Sequence, residues 1–186
     1  MKAYVKQYKE DTYGVLEFGN SAGNSLSTPI FNEFKTHLIA LEKDPTVKVI
    51  IIQSYGIRAF CGGASLAEMK TLKTLKEATK FFMGIADLIN TIRSLSKFVV
   101  ARVQGKVVGG GVGLVAACDY VVANSKAEIK LSELSIGIGP FVIEPVVSRK
   151  IGITAFSQLS LDAHTWKSAE WAFEKGLYTS ICSKIG

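Results

Sequence analysis

The sequence of 186 residues has few cysteines and no long apolar run. Cys61, Cys118 and Cys182 are far apart and odd in number, which excludes a disulfide framework or a zinc site and is typical of a reducing compartment. No stretch approaches the roughly 20 apolar residues that a membrane-spanning helix needs. The opening residues 1–6 lack the apolar core of a signal peptide. We therefore expect a cytoplasmic protein without a membrane partner or a metal.

The net charge of +6 is spread along the chain and does not indicate nucleic-acid binding. No aromatic residues alternate with the lysines in a stacking pattern. The densest basic group has the spacing of a solvated helix face, or of a face that attracts a phosphorylated small molecule. Its members are Lys70, Lys73, Lys76 and Lys80. No nucleic-acid partner is expected.

Apolar strands and helical stretches alternate along the chain, and this order predicts an α/β fold with parallel strands. A hairpin is predicted over 4–8 and 13–18, and a helix begins at Thr28. Three further stretches have strand character: 47–53, 98–103 and 119–123. The sequence predicts a single domain over 1–186, mainly helical after about residue 145, with an unstructured end over 180–186.

Two of these elements have a specific predicted burial pattern. The stretch 47–53 is so uniformly apolar that it predicts a strand buried on both faces. Thr74 and Glu77 have the spacing of a capping box, which begins a long amphipathic helix. Its inward face is predicted to hold Leu75, Ala78, Phe82, Ile85, Leu88 or Ile89, Ile92 and Leu95.

A glycine-rich run, Gly109 to Gly113, lies between an apolar strand and a helix-forming stretch. A helix that begins in glycines exposes backbone N–H groups that can hold an anion. The run lacks the final glycine of a dinucleotide fingerprint and the Gly-Lys-Ser/Thr of a phosphate-binding loop. Two interpretations stay open: an anion site, or a turn that only allows tight packing.

A second small-residue turn, 58–66, also follows a buried strand and leads into a short helix over 66–70. Two such turns at the ends of parallel strands can aim two backbone N–H groups at one point, as in an oxyanion hole. Glu133 follows a strand in the largely apolar segment 131–140. Either this carboxyl is solvated, or its apolar setting raises its pKa toward values useful in proton transfer.

These three stretches, in this order and spacing, resemble the crotonase family, the enoyl-CoA hydratase/isomerase superfamily. The matching segments are 60–66, 103–111, 117–120 and 131–140. The resemblance implies a spiral of β-β-α turns that binds acyl-CoA, with coenzyme A as part of the substrate and no separate cofactor. It also implies that the N–H groups of Ala64 and Gly110 hold the thioester oxygen while Glu133 moves a proton.

The resemblance further implies a set of substrate-binding positions. Arg58 matches a basic position near the coenzyme phosphates. The remaining positions along the coenzyme path are Cys61, Gly62, Gly63, Ser65, Leu66 and Gly109. Cys61 is expected to be a small packed residue and not a nucleophile. Ser65 stands where the family usually has aspartate, and we expect it to cap a helix.

The chain departs from the family at one of the two glutamates that hydratases use around a substrate water. The second glutamate aligns with Glu133, whereas the first falls at Gly113, which has no side chain. Glu144 stands where the family usually has glycine. It is either a second acid or a residue at a helix N-terminus, and we expect the latter.

A single glutamate favours isomerisation of a 3-enoyl to a 2-enoyl thioester over hydration. The alternative is a non-catalytic acyl-CoA-binding or assembly subunit with the same fold. Family members continue with C-terminal helices that complete the acyl pocket and join trimers, and the resemblance implies that these trimerisation helices are missing after Gly186. A homotrimer or hexamer is expected where those helices are supplied.

Overall fold

Two sheets form the framework of the protein in this computed structural model, which describes residues 1–183. Within these residues the large sheet has six strands, in the order β1 (Tyr4–Glu10), β2 (Tyr13–Gly19), β3 (Val49–Ser54), β5 (Phe98–Val103), β7 (Tyr120–Asn124) and β9 (Ser180–Cys182). The small sheet has the order β4 (Ala59–Cys61), β6 (Lys106–Val108) and β8 (Ile129–Lys130).

The predicted hairpin and the predicted parallel strands are confirmed. Strands β1 and β2 pair antiparallel, and every other neighbouring pair in both sheets is parallel. Each strand of the large sheet from β3 to β7 is followed by a short strand of the small sheet and then by helical structure. This repetition is the β-β-α spiral that the resemblance implied.

The helices surround this framework and supply much of the core. They are α1 (Thr28–Lys43), α2 (Leu66–Met69), α3 (Leu75–Ser94), α4 (Gly110–Ala117), α5 (Glu144–Leu161) and α6 (Ala169–Glu174). Every residue of α4 is buried, and α5 is kinked at Gly152. A 3-10 turn over Glu133–Ile136 follows β8. Helix α4 thus carries the glycine run into the centre of the molecule.

The predicted inward face of α3 is partly wrong. The capping box of Thr74 and Glu77 is present, and Ile85, Leu88, Ile89 and Ile92 are buried. However, Leu75 is 84% exposed because it lies in the first turn of the helix, beyond the edge of the core. Phe81, and not Phe82, is the buried aromatic residue of the pair.

The prediction that the strand over 47–53 is buried on both faces is also wrong. Ile50 and Ile52 are fully buried, whereas Val49, Ile51 and Gln53 are only partly buried. The burial alternates because the core that contains α1 and α3 lies on one face of the large sheet. A run of β-branched residues therefore does not by itself require burial on both faces.

The C-terminal segment is more ordered than predicted. Ser180–Cys182 forms β9 and pairs with β7 at the edge of the large sheet. The rest of the predicted unstructured end, 184–186, lies outside the described residues. Over the part of the chain that is described, no helix has both the length and the hydropathy to cross a membrane.

Candidate active site

Two backbone turns meet beside the N-terminus of α4. One is the turn after β4, which contains Gly63 and Ala64, and the other is the turn after β6, which contains Gly109 and Gly110. A Cβ atom built on Gly110 would lie 3.6 Å from the Ala64 backbone nitrogen. The two turns predicted separately from the sequence are therefore in contact.

The hydrogen bonds of both turns leave two N–H groups available. In the first turn, Leu26 donates to Gly63 and Ser65 donates to Leu26; in the second, Gly109 donates to Lys130. Within the described residues the N–H groups of Ala64 and Gly110 donate to no backbone carbonyl. Two free amides beside one cavity can hold an oxygen atom that becomes negatively charged during a reaction.

The Glu133 carboxyl lies against the same two turns. Its Oε1 atom is 2.8 Å from the position of a Cβ atom built on Gly109. Its Oε2 atom is buried and has no hydrogen-bond partner within the described residues. Burial raises the pKa of the Glu133 carboxyl above its ordinary value, and hydrogen bonds from the N–H groups of Ser132 and Glu133 offset part of that rise.

Gly109 is required by this packing for two reasons. Its φ of +53° lies in the region that side-chain-bearing residues rarely adopt. A side chain there would also collide with the Glu133 carboxyl. The glycine therefore turns the chain into α4 and makes room for the acid at the same time.

Two small cavities are each lined by both turns and by Glu133. One has a volume of about 40 Å³ and apolar walls, and the other has a volume of about 50 Å³. Ala64, Gly110 and Glu133 line both.

The space beside Gly113 is filled by aliphatic side chains. A Cβ atom built on Gly113 would lie 2.5 Å from Cγ2 of Ile143 and 3.2 Å from Cδ1 of Ile89. No room is left there for a carboxylate or a water held by one. The chain thus lacks the first glutamate of the hydratases, and aliphatic side chains fill the space beside Gly113.

Glu144 does not replace that missing acid. It lies in the first turn of α5, where Ser148 Oγ donates to its Oε1 atom over 2.7 Å. Glu144 is not among the residues that line either small cavity. The expectation of a role at the helix N-terminus agrees with this position.

A wider and more polar region continues from the small cavities. Val108 lines both the 50 Å³ cavity and an open cleft of about 650 Å³. Arg58 and Lys106 line this cleft and also a neighbouring one of about 690 Å³. That second cleft adds Arg102 and Lys126 and has no acidic residue in its lining. The series of cavities thus runs from an apolar end to a cationic end.

Lys106 and Trp166 belong to this region although no motif in the sequence indicates them. The Lys106 ammonium lies 4.1 Å from the centre of the Trp166 ring and 2.9 Å from a carboxylate oxygen of Glu128. Lys130 lies 4.6 Å from the same ring. These contacts hold Lys106 where the two open clefts meet. The one sequence signal for this cluster is Trp166 itself, an aromatic residue after α5, since no local motif links it to Lys106 or Lys130.

The other predicted site residues divide into two groups. Gly62, Gly63, Leu66 and Gly109 line the 50 Å³ cavity. Cys61 does not line it, because its side chain is fully buried against Gly111, and burial raises the pKa of its thiol to about 12. Ser65 caps α2 by accepting from the Glu68 N–H, as predicted.

Comparison with known proteins gives consistent similarities. The family model described as enoyl-CoA hydratase/isomerase matches residues 9–185. A crotonyl-CoA hydratase of Syntrophomonas wolfei is 31% identical over 175 residues, which are 93% of this chain and 66% of that protein. A trans-2-decenoyl-[acyl-carrier-protein] isomerase of Streptococcus mutans is 28% identical over 86% of this chain and 61% of its own. The chain therefore spans less than two thirds of the length of either relative.

Solved structures show the same similarity in three dimensions. A Legionella pneumophila protein described as a candidate enoyl-CoA hydratase/isomerase (crotonase) superposes with a TM-score of 0.91 at 30% identity. The match covers 96% of this chain and 70% of that one. An enoyl-CoA hydratase from Bacillus anthracis gives a TM-score of 0.88 at 25% identity, over 98% of this chain and 70% of its own.

Proposed function

The chain belongs to the enoyl-CoA hydratase/isomerase family, and we propose that it shifts a carbon–carbon double bond in an acyl-CoA thioester, with Glu133 as the base. The observation that carries this choice is the filled space beside Gly113, where Ile143 and Ile89 exclude a second acid. Hydration needs one group to activate water and a group to handle the proton on the α carbon. Isomerisation needs one group that removes a proton and returns it.

In the proposed reaction the thioester oxygen accepts hydrogen bonds from the N–H groups of Ala64 and Gly110. The Glu133 carboxylate takes a proton from the carbon next to the carbonyl of a 3-enoyl group. The electron pair of that C–H bond moves into a dienolate whose negative charge rests on the oxygen. The neutral carboxyl then gives the proton to the fourth carbon, which leaves a 2-enoyl thioester and restores the carboxylate.

Burial of the Glu133 carboxyl supports both halves of this cycle. Its pKa is raised because burial disfavours the charged form. The carboxylate is consequently a stronger base than a solvated one, and the acid is still able to release its proton in the second step. No other hydrogen bond within the described residues competes for the Oε2 atom.

The cationic clefts support a substrate with an anionic end. Arg58 and Lys106 line both clefts, and we propose that they bind the phosphates of coenzyme A. Backbone around Gly62, Gly63 and Leu66 would line the path of the neutral pantetheine between the phosphates and the reacting carbonyl. One of the two relatives is a hydratase and the other an isomerase, so both reactions occur among similar proteins.

Turnover of 3-enoyl-CoA and 2-enoyl-CoA by the wild type, Glu133→Gln and Glu144→Gln tests the proposal. We expect the wild type to convert the 3-enoyl to the 2-enoyl thioester, Glu133→Gln to lose at least about 100-fold in kcat, and Glu144→Gln to retain activity. Full activity in Glu133→Gln would exclude it as the base. Faster hydration than isomerisation would overturn the reaction assigned.

A non-catalytic acyl-CoA-binding or assembly role is separated by the same samples. Tight binding of acyl-CoA without turnover of any enoyl thioester would favour that role over catalysis. From the family resemblance we also propose a cytoplasmic protein that forms a homotrimer or hexamer where the C-terminal helices of the family are supplied. Light scattering of the protein with those helices supplied measures the assembly, and a mass equal to one chain would exclude it.

A further inference from the structure

The Ala64 N–H group lies in a turn that is bonded to a segment from an earlier part of the chain. Leu26 and Ala64 form an isolated parallel bridge. The Leu26 N–H donates to the Gly63 carbonyl oxygen over 2.7 Å, and the Ser65 N–H donates to the Leu26 carbonyl oxygen over 2.8 Å. In a planar trans peptide unit the C=O and the N–H point in opposite directions. The bond from Leu26 to Gly63 therefore sets the direction of the Ala64 N–H.

The two amides of the site differ in how firmly side-chain packing holds them. Gly110 begins α4, and every residue of that helix is buried. Ala64 instead lies just before α2, a helix of four residues of which none is buried. Close packing fixes the Gly110 amide, whereas hydrogen bonds have to fix the Ala64 amide.

Glu68 of α2 makes further hydrogen bonds to the same segment, where α1 begins. The Ser27 side chain, which precedes the helix, makes no capping hydrogen bond within the described residues. The Glu68 carboxylate caps α1 instead. Its Oε2 atom accepts from the Thr28 N–H over 2.9 Å, and its Oε1 atom accepts from the Thr28 hydroxyl over 2.5 Å. The helix dipole also favours a negative charge at this end of α1.

These hydrogen bonds form a closed circuit beside Ala64. At one end Leu26 is bonded to the turn after β4, and at the other end Thr28 is bonded to Glu68. The Glu68 N–H donates in turn to Ser65 Oγ over 3.3 Å, which returns the circuit to the turn. Without the Glu68 carboxylate the segment that orients the Ala64 N–H would be joined to this part of the chain at one end only.

We propose that Glu68 is a positioning residue for the reaction: by holding Thr28 it keeps the segment 26–28 against the turn after β4 and directs the Ala64 N–H at the thioester oxygen. Glu68 lines neither the two small cavities nor the two open clefts, so it acts through the turn and not by touching the substrate. The inference rests on the function proposed above, since it concerns an amide that binds the substrate there.

Replacement of the Glu68 carboxylate by an amide tests this role. In Glu68→Gln one of the two Thr28 donors would face N–H groups, which cannot accept a hydrogen bond. We expect kcat for a 3-enoyl-CoA to fall about tenfold, because a catalytic group is displaced. KM should stay unchanged, because the contacts with the coenzyme are intact.

Glu77→Gln is the matched control for this change. The Glu77 carboxylate also accepts from backbone N–H groups at a helix N-terminus, that of α3, but it takes no part in the circuit beside Ala64. Glu77→Gln should therefore keep the kcat of the wild type. An unchanged kcat in Glu68→Gln, or an equal loss in Glu77→Gln, would overturn the positioning role.

Thr28, the partner of Glu68, provides a second variant. Thr28→Val removes the hydroxyl donor and keeps the N–H donor, so it should lower kcat by a smaller factor. The double variant should lose no more than Glu68→Gln alone, because both changes break the same link. A loss equal to the product of the two single losses would show that Glu68 does not act through Thr28. Should Glu68→Gln fail to fold, an unchanged kcat in Thr28→Val would overturn the proposal by itself.

The carbonyl stretching frequency of a bound acyl-CoA reports the hydrogen bonds to the thioester oxygen directly. Donors aimed at this oxygen polarise the C=O bond, and this lowers its stretching frequency. Infrared difference spectra of butyryl-CoA with an isotopic label at the carbonyl carbon should show a lower frequency on the wild type than in water. We expect a smaller shift on Glu68→Gln and the full shift on Glu77→Gln.

The spectra and the turnover together distinguish failure of this inference from failure of the proposed function. A smaller shift on Glu68→Gln with a lower kcat supports both. Equal shifts on Glu68→Gln and the wild type would overturn the positioning role and leave isomerisation intact. A smaller shift on Glu68→Gln, when even the wild type turns over no enoyl thioester, would support the positioning role and contradict the catalytic function. No shift on the wild type would contradict the role of the amides and, with it, both proposals.

Discussion

Glu133 is a carboxyl group in a position where ionisation is unfavourable, and this has a consequence for stability. Its pKa is raised in the folded protein by burial, so the folded state holds the proton more tightly than the unfolded state. The stability that this proton brings is fully present below the unfolded pKa and is lost as the pH rises through the folded value. Above that value the ionised side chain opposes folding.

We therefore expect Glu133→Gln to be more stable than the wild type at neutral pH, although it is inactive. The difference in the free energy of unfolding should shrink toward zero as the pH falls below about 4, where both proteins carry a neutral side chain. Urea unfolding between pH 4 and 8 measures it. A difference that does not vary with pH would contradict the buried, destabilised carboxylate.

At Gly113 we predict that a substitution lowers the stability of the protein. Replacing a glycine inside a helix by alanine normally stabilises a protein, by up to about 1 kcal/mol. Here the added methyl group would meet Ile143 at 2.5 Å, and such overpacking costs about 1–3 kcal/mol. Gly113→Ala should thus destabilise the protein, and Ile143→Ala in the same chain should make the Gly113→Ala change less costly. Thermal unfolding of the two single variants and the double variant measures this coupling, and strict additivity would contradict it.

At the scale of elements, α3 has a capping box at its N-terminus and contributes Phe82 and Ile85 to the 40 Å³ cavity. Thr74 Oγ1 accepts from the Glu77 N–H over 3.2 Å, and the Glu77 carboxylate accepts from the Thr74 N–H over 3.0 Å. Thr74→Ala removes the first of these bonds and should destabilise the protein by about 1 kcal/mol. Thr79→Ala, at an exposed position within the same helix, should not destabilise the protein in chemical denaturation, because alanine has a higher helix propensity than threonine. Equal losses in the two variants would show that the cap contributes nothing.

The elements that carry strong periodicity were predictable, and the shortest were not. The hairpin, α1, α3 and strands β3, β5 and β7 of the large sheet follow from apolar patterns of five residues or more. Strands β4, β6 and β8 have two or three residues each, too few for a pattern, and exist because they pair with one another across the spiral. Phe81 and Phe82 show the same limit, because adjacent aromatic residues on a helix differ in burial only through what packs against them.

In the candidate site, too, the residues in local sequence motifs could be predicted and the contacts between distant residues could not. Ala64, Gly110 and Glu133 lie in local motifs, so the sequence could indicate them and the fold brings them together. The contacts of Ile143 with Gly113 and of Trp166 with Lys106 join residues that are distant in the chain. No local pattern specifies such contacts. They could be found only once the spiral was known.

At the scale of the whole molecule, part of the positive charge lies at one end of the series of cavities. The cavity near the reacting groups is apolar, while the clefts at the other end of the series hold Arg58, Arg102, Lys106 and Lys126. The acyl-CoA proposed above, with an apolar acyl end and an anionic coenzyme end, would be bound in a single orientation by this distribution. The charge is therefore expected to act on the coenzyme end of the substrate and not on the chemical step.

Arg58→Gln and Lys106→Gln should each raise KM for an acyl-CoA by up to about fivefold, because an exposed ion pair contributes at most about 1 kcal/mol. Neither change should alter KM for the same acyl group on pantetheine alone, which lacks the nucleotide phosphates, nor kcat for either thioester. Lys2→Gln is the control, since it removes one positive charge at an exposed position outside the clefts. Added salt should reduce the difference in KM for the acyl-CoA between the wild type and the two variants, because the Debye length falls to about 3 Å at 1 M ionic strength. An equal rise in KM for the pantetheine thioester would mean that the two cations support the fold of the site and do not bind the phosphates.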